Sequence, residues 1–382
     1  MGSILINGIS AKSGGGKSIL ANFLTLLSLR DNKEKFVVIV PDDKEYLGYS
    51  RESVHVIPLK NSNLHLFRFY FSTIRKIIRN YNVSVIFNLA DIIAPVPTRQ
   101  IYLFDWPFAL YPHSIAWKKL GKKEWLFRKV KLYLIRRWIH LPVLIIAQTK
   151  VSAEKIKQIF AVTNVEIVPN AVSVDNLTGG QPRDFALPKN RIRFLYLTKY
   201  YPHKNIEIFI PLARIIQQRG LPYSLIITID EHQHAGAKKI LDKIKNENLG
   251  DAIINVGPVR MDHVPSLYQQ VDALLMPSLL ESFSGTYVEA LYHGKPIFTS
   301  NLDFARAVCD KAAFYFDPLN AHSIIDSIGS AFNDPDLIGA NVSLGRERLN
   351  SLLTWREAFD KFIAIIERYH TQKVKIESAS LY

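Results

Sequence analysis

Short β-type runs alternate with amphipathic helical runs through the first part of this chain, stop, and then alternate again, and this constrains the fold more than any other feature. Strand candidates lie at 4–9, 36–40, 54–58, 83–88, 100–105, 143–148 and 165–168, with helix candidates at 18–29, 64–80 and 152–160 and a basic stretch between them. A second series has strands at 192–198, 224–229, 253–256, 273–276 and 296–299, separated by helices near 206–219, 237–248, 264–270, 286–293 and 321–332. Such alternation builds parallel sheets covered by helices. A single core stops growing at roughly 250–300 residues, so 382 residues divide into two domains. The expectation is an α/β protein with two Rossmann-like, doubly wound domains, 1–172 and 191–353, facing a central cleft. Between them, 173–190 carries Thr178, Gly179, Gly180, Pro182 and Pro188 and reads as a linker. Trp355, Phe359, Phe362, Ile363 and Ile366 give 354–370 an apolar helical stripe that needs a packing surface, expected on the first domain, and 371–382 reads as a loose tail.

The ligands of doubly wound sheets bind beyond the carboxyl ends of the strands, so the chemistry is sought in the loops there. In Pro277-Ser-Leu-Leu-Glu281-Ser-Phe-Ser-Gly285-Thr-Tyr-Val-Glu289 a strand ends, a loop turns at Ser284 and Gly285, and a helix begins near Thr286. Free backbone N–H groups and the positive end of the helix dipole make this a seat for a diphosphate. Glu281 in the loop and Glu289 about one turn into the helix are placed to hold opposite ends of one elongated polar ligand. After the first strand of the second series, Lys199 and Lys204 lie five residues apart, where two cations can neutralise charge on a departing nucleotide diphosphate.

These residues resemble glycosyltransferase family 4, whose signature is two glutamates separated by seven residues at a strand, loop and helix, here with Pro-Ser before them and Gly-Lys-Pro after. The resemblance covers nearly the whole chain. It implies the GT-B fold, with 1–172 on the acceptor side and 191–353 binding the nucleotide sugar. It also implies that Glu281 meets the donor sugar hydroxyls, that Glu289 takes the ribose hydroxyls, and that the amides of Ser284, Gly285 and Thr286 cradle phosphate. The family usually has Arg, four residues, then Lys; Lys199 stands in the place of the Arg, keeping its charge without its bidentate geometry. Asn255-Val-Gly257-Pro-Val259-Arg260 resembles the segment that lines the nucleobase. The glycines Gly15 and Gly16 stand where such enzymes place a glycine-rich loop against donor phosphates and acceptor. Asp105 lies at or beside a position where the family often carries His, and is read either as orienting a hydroxyl or as capping the following turn. The implied activity is retaining transfer of a hexose or deoxyhexose from a nucleotide-diphosphate sugar to a glycan or lipid-linked acceptor of bacterial O-antigen or capsule, by front-face attack and without an enzymic nucleophile.

No cofactor is expected. There is no Asp-x-Asp, and His232 and His234 alternate in a loop in the manner of solvated residues, so no metal site is assigned. A single cysteine, Cys309, excludes an intrachain disulfide. No run of about 18 uncharged apolar residues exists to span a membrane, and the chain starts without a signal-like segment, so a cytoplasmic protein is expected. The net charge of +14 favours anionic partners, and nine cations lie between His113 and His140 against Glu124 alone, interleaved with Trp117, Trp125, Phe127, Tyr133 and Trp138. That stretch reads either as a contact with the anionic inner face of the membrane or as an ordinary amphipathic helix; no motif points to nucleic acid. The rival function is a P-loop ATPase using Ala11 to Ser18, with 37–42 as its magnesium strand. A non-catalytic sugar-nucleotide binder is a third reading.

Overall fold

The computed structural model of the chain describes residues 2–12, 14–171, 177 and 179–371, so Ser13, positions 173–176 and 178 of the expected linker and the tail beyond Thr371 lie outside the described residues. The first sheet is built from β1 (Ser3–Asn7), β2 (Phe36–Pro41), β3 (Val54–Leu59), β4 (Val83–Asn88), β5 (Arg99–Leu103), β6 (Leu144–Ala147) and β7 (Val165–Ile167). Its order is β3-β2-β1-β4-β5-β6-β7, and every pairing is parallel. The second comprises β8 (Ile192–Tyr196), β9 (Tyr223–Ile227), β10 (Ile253–Asn255), β11 (Ala273–Met276), β12 (Ile297–Ser300) and β13 (Phe314–Phe316), ordered β10-β9-β8-β11-β12-β13, again all parallel.

All-parallel sheets are covered on both faces, which is why their strands read as continuous apolar runs. Ile4, Leu5 and Ile6 in one sheet and Leu225, Ile226 and Ile227 in the other are fully buried. In each sheet the winding reverses once, between β1 and β4 and between β8 and β11, and the loops leaving these strands diverge to leave a crevice. Lys204 follows β8 and Glu281 follows β11, so both glutamate and lysine motifs fall at the second switch point.

The helix Trp355–Thr371 packs against the first domain: Phe359 meets Phe23 with ring centroids 5.1 Å apart and Phe362 meets Phe87 at 5.3 Å. Ion pairs Arg30–Glu367 and Arg368–Glu166, at 2.7 and 2.6 Å, fix its far end. Burying each such aromatic is worth about 1.5–3 kcal/mol, so this helix is part of the first domain's core. Residues 181–185 do not run free: Gln181 N–H donates to the Asp262 carbonyl (2.8 Å), and the N–H groups of Arg183 and Phe185 donate to Ser266 Oγ and Gln270 Oε1 (3.0 Å each).

Three details differ from the pattern read in the sequence. The first helix starts at Gly14, not near Ser18, so the glycines form its opening turn. The helical stretch Asn63–Asn80 holds a wider turn at Phe69–Thr73. Helices Asp303–Cys309 and Pro335–Asn350 and the strand β13 complete the second domain.

Candidate active site

The loop after β8 is held by an asparagine. Asn205 adopts φ 57°, a left-handed conformation that asparagine tolerates better than most side chains. Its buried amide donates to the carbonyls of Pro277 (3.2 Å) and Pro318 (2.7 Å), and its Oδ1 accepts from Lys119 Nζ of the first domain (2.7 Å). One residue earlier the Lys204 carbonyl accepts from Tyr196 OH (3.0 Å), which also bonds Ser278 Oγ (2.6 Å). The loops after β8, β11 and β13 are thereby locked together, and Lys204 Nζ reaches Glu281 Oε1 at 2.6 Å with both side chains largely removed from solvent. Lys199, in the same loop, is exposed and forms no ion pair among the described residues.

Beyond Glu281 the chain turns at Ser284, the N-cap of the helix Gly285–Tyr292. Ser284 makes no side-chain cap and the first turn contains no acid, so the amides of Gly285 and Thr286 keep their full positive character for an incoming anion. A Cβ added at Gly285 would meet nothing closer than Glu289 Oε1 at 3.9 Å, so the space above this amide is open. Glu289 points into the same region; withdrawal from water pushes its carboxyl up to about 7, against a weak bond from Tyr268 OH at 3.4 Å. Tyr268 is fully buried and stacks on His293 at 4.8 Å, fixing the hydroxyl that meets Glu289. Val259 packs on the second core next to Gly257, whose φ of +72° turns the loop, and Asn255 pins that loop to Ile229 through bonds of 2.9 and 3.1 Å.

The first domain faces this constellation with Asp105. Its Oδ1 accepts from Ser282 Oγ at 2.7 Å, a bond between domains next to Glu281 in sequence, and burial pushes its carboxyl up to about 6 despite that bond. Behind it Lys131 is buried against the Trp106 ring (4.3 Å) and paired with Asp91 (2.9 Å). Leu279 and Leu280 pack into the first domain's apolar cluster with Phe108 and Trp117, and Phe108 meets His203 edge-on at 5.6 Å. Farther along, Tyr111 OH donates to Asp303 (2.7 Å) and Lys155 pairs with the same carboxylate (3.1 Å), beside a cavity of about 370 Å³ near the loops of β12 and β13. That cavity is not lined by Glu281 or Glu289.

Of the residues singled out in the sequence, Lys204 with Glu281 and Asp105 with the Glu281 loop are in direct contact; Ser284, Gly285, Thr286 and Glu289 share one helix start. Gly15 and Gly16 sit at the carboxyl end of β1 with open space over Gly15. Ser282, Asn205, Tyr268 and Lys119 were not anticipated. Only the Asn following Lys204, a residue type suited to left-handed backbone, carried a local signal. His234 serves as the N-cap of the helix Ala235–Asn246, its Nδ1 accepting from Gly236 N–H at 2.9 Å.

Two family profiles divide the chain between them: Glycosyltransferase Family 4 matches residues 25–176 and Glycosyl transferases group 1 matches residues 180–345. This chain belongs to glycosyltransferase family 4. The enzyme is 24% identical over 180 residues to mannosylfructose-phosphate synthase of Agrobacterium fabrum (45% of this chain, 40% of that one). It is 26% identical over 145 residues to the O-antigen chain mannosyltransferase RfbU of Salmonella typhimurium (38% and 40%). These alignments span about two fifths of the length of the curated relatives. Over the whole fold it superposes on sucrose-phosphate synthase from Thermosynechococcus elongatus with a TM-score of 0.76 at 13% identity, covering 96% of this chain and 99% of that one. It matches Anabaena HepE, solved with UDP-glucose, at 0.73 and 15% identity, covering 96% and 100%. Both are GT-B architectures, and so is this glycosyltransferase. The ATPase reading finds no support: Lys17 Nζ is committed to Glu45 (2.8 Å) and Asp43 (3.7 Å).

Proposed function

We propose that this glycosyltransferase moves a hexose or deoxyhexose, with retention, from a nucleotide-diphosphate sugar to a glycan or lipid-linked acceptor in the making of a bacterial surface polysaccharide, O-antigen or capsule. The observation that carries the proposal is the Lys204–Glu281 pair at 2.6 Å beside an acid-free helix start with Glu289 one turn inside. Glu289 accepts from the ribose hydroxyls and the amides of Ser284, Gly285 and Thr286 hold phosphate. Glu281 orients the sugar, while Lys204, with Lys199 behind it, meets the negative charge that gathers on the leaving diphosphate. The bond from the anomeric carbon to the phosphate oxygen breaks, and the acceptor hydroxyl attacks from the same face. Its proton passes to the departing phosphate. Asp105 orients the acceptor hydroxyl from the opposite domain, Gly15 and Gly16 approach the donor phosphates and acceptor, and Val259 borders the base. In this scheme the protein's own cations and helix terminus suffice, and no metal is required.

The relatives support the class: HepE was solved with UDP-glucose, and RfbU is named for O-antigen mannose transfer. No helix among the described residues is long and apolar enough to cross a membrane. A lipid-linked acceptor would therefore be met at the cytoplasmic membrane surface through the basic aromatic region 113–140. A thermal-shift screen of UDP-, GDP- and dTDP-sugars, each with and without EDTA, tests the reading, because a ligand of the folded state raises its melting temperature with occupancy. One donor class should stabilise the protein equally in EDTA. Stabilisation by none of them, or only with added divalent cation, would reject the scheme.

A further inference from the structure

The helix Lys122–Trp138 buries one side, with Lys131, Leu132 and Ile135 inward, yet its opposite side is also apolar. Leu126, Val130 and Tyr133, spaced four and three apart, are 59%, 51% and 66% exposed. A second helical segment, Asn63–Asn80, continues this surface: Leu64 and Phe67 are 75% and 63% exposed, Phe67 meets Phe71 with ring centroids 4.7 Å apart, and Phe71 meets Trp138 at 6.0 Å. Cations border the apolar strip on both elements, Arg68, Lys76 and Arg79 on one and Lys122, Lys123, Arg136 and Arg137 on the other, all exposed. The segment 63–80 contains no acid, and the single acid of 113–140, Glu124, is neutralised by Arg128 at 2.6 Å. At one end of the strip lies a groove of about 570 Å³ lined by Trp117, Lys118, Leu120, Lys122, Trp125 and Leu126.

We propose that the two segments 63–80 and 122–138 form a single docking face for an anionic bilayer, into which Leu64, Phe67, Leu126, Val130 and Tyr133 insert while the flanking cations take the head groups. This rests on the reading that the acceptor is met at a membrane surface, and extends it to a second helix that the sequence did not implicate. Charge decides the occupant. A second copy of the chain would bring the same cations face to face, whereas an anionic lipid surface neutralises them and gives the apolar strip a hydrocarbon boundary to enter. The docking also orients the enzyme. Lys131 and Arg128 project from the inner side of the same helix onto Asp91, Trp106 and Phe108, in and beside the loop that carries Asp105, so the bilayer would lie one helix away from the acceptor side of the cleft.

The test is sedimentation of the full chain with phosphatidylcholine vesicles, with and without phosphatidylglycerol, comparing wild type with Leu64→Ser/Phe67→Ser and with Leu126→Ser/Val130→Ser. These side chains face solvent, so thermal melts of both variants should match the wild type. Wild type should bind only vesicles with the anionic lipid, and each pair of substitutions should weaken that binding by about tenfold or more. If Leu64→Ser/Phe67→Ser binds like wild type while the other pair does not, the two-helix face is wrong and the single-segment reading stands. Binding of wild type to neither vesicle, or equally to both, overturns the docking face altogether. Sugar transfer to a soluble acceptor, followed in parallel, reports on the enzyme's chemistry independently of either result.

Discussion

The role proposed for Glu289 at the donor's ribose would make donor binding pH-dependent in a way that can be calculated. Its carboxyl is pushed up to about 7 because it is withdrawn from water with only a long bond from Tyr268 OH to stabilise the charge. To accept from both ribose hydroxyls it must be ionised, so donor binding is linked to loss of this proton. At about pH 6 roughly a tenth of the unliganded protein has Glu289 ionised, and at about pH 8 roughly nine tenths, so affinity should rise about tenfold, or ~1.4 kcal/mol, across that interval. The ligand for the measurement is the intact nucleotide sugar, whose diphosphate is doubly esterified and holds its charge throughout. Isothermal titration calorimetry on wild type should show the tenfold gain with release of protons, and Glu289→Gln should bind more weakly and with a flat pH profile. A flat profile for the wild type, or an unchanged slope in Glu289→Gln, would refute the assignment of the ribose to this residue.

Gly285→Ala should melt within about a degree of wild type, since the added methyl meets nothing within 3.9 Å and alanine favours a helix; its donor affinity should nonetheless fall, because the methyl occupies the approach of the phosphate. Lys204→Met strands the Glu281 carboxylate, so chemical denaturation should show up to about 3 kcal/mol less stability, and turnover should fall by roughly two to three orders of magnitude. Asp105 reports on stability against pH. With its folded pKa raised to about 6, the folded state holds this proton more tightly than the unfolded chain, so its contribution is full below the ordinary carboxylate range and is lost as pH rises through about 6. Asp105→Asn should therefore lose less stability between about pH 4 and pH 7 than wild type does in urea titrations.

Why the sheets were legible and parts of the site were not follows from the range of the interactions. Parallel strands such as β4 and β11 are buried on both faces and appear in the sequence as apolar runs with the same limits found in the structure. β13 is three residues long, and Pro335–Asn350 has little apolar periodicity, with Gly339 and Gly345 in its interior, so neither rises above a loop. Its start was signalled only by Asp334 before Pro335, a cap that accepts from Leu337 N–H at 3.1 Å. Glu281 and Glu289 were readable because one turn of a loop-to-helix junction sets their relation. Ser282 and Asp105 meet across 177 residues, and Lys119 finds Asn205 across 86. Such contacts depend on how two domains face each other, which no local pattern encodes. The exposed strip on Lys122–Trp138 was ambiguous for a similar reason: its aromatic and basic composition is the same whichever side packs inward.

Whether donor chemistry occurs at Lys204 and Glu281 between the two domains is decided by following transfer and nucleoside diphosphate release from a nucleotide sugar in wild type, Glu281→Gln and Lys17→Ala, with ATP hydrolysis measured alongside. Wild type should transfer sugar, Glu281→Gln should lose a hundredfold or so, Lys17→Ala should transfer almost normally, and none of the three should hydrolyse ATP. Transfer that survives Glu281→Gln, or an ATPase activity abolished by Lys17→Ala, would contradict donor chemistry at that pair.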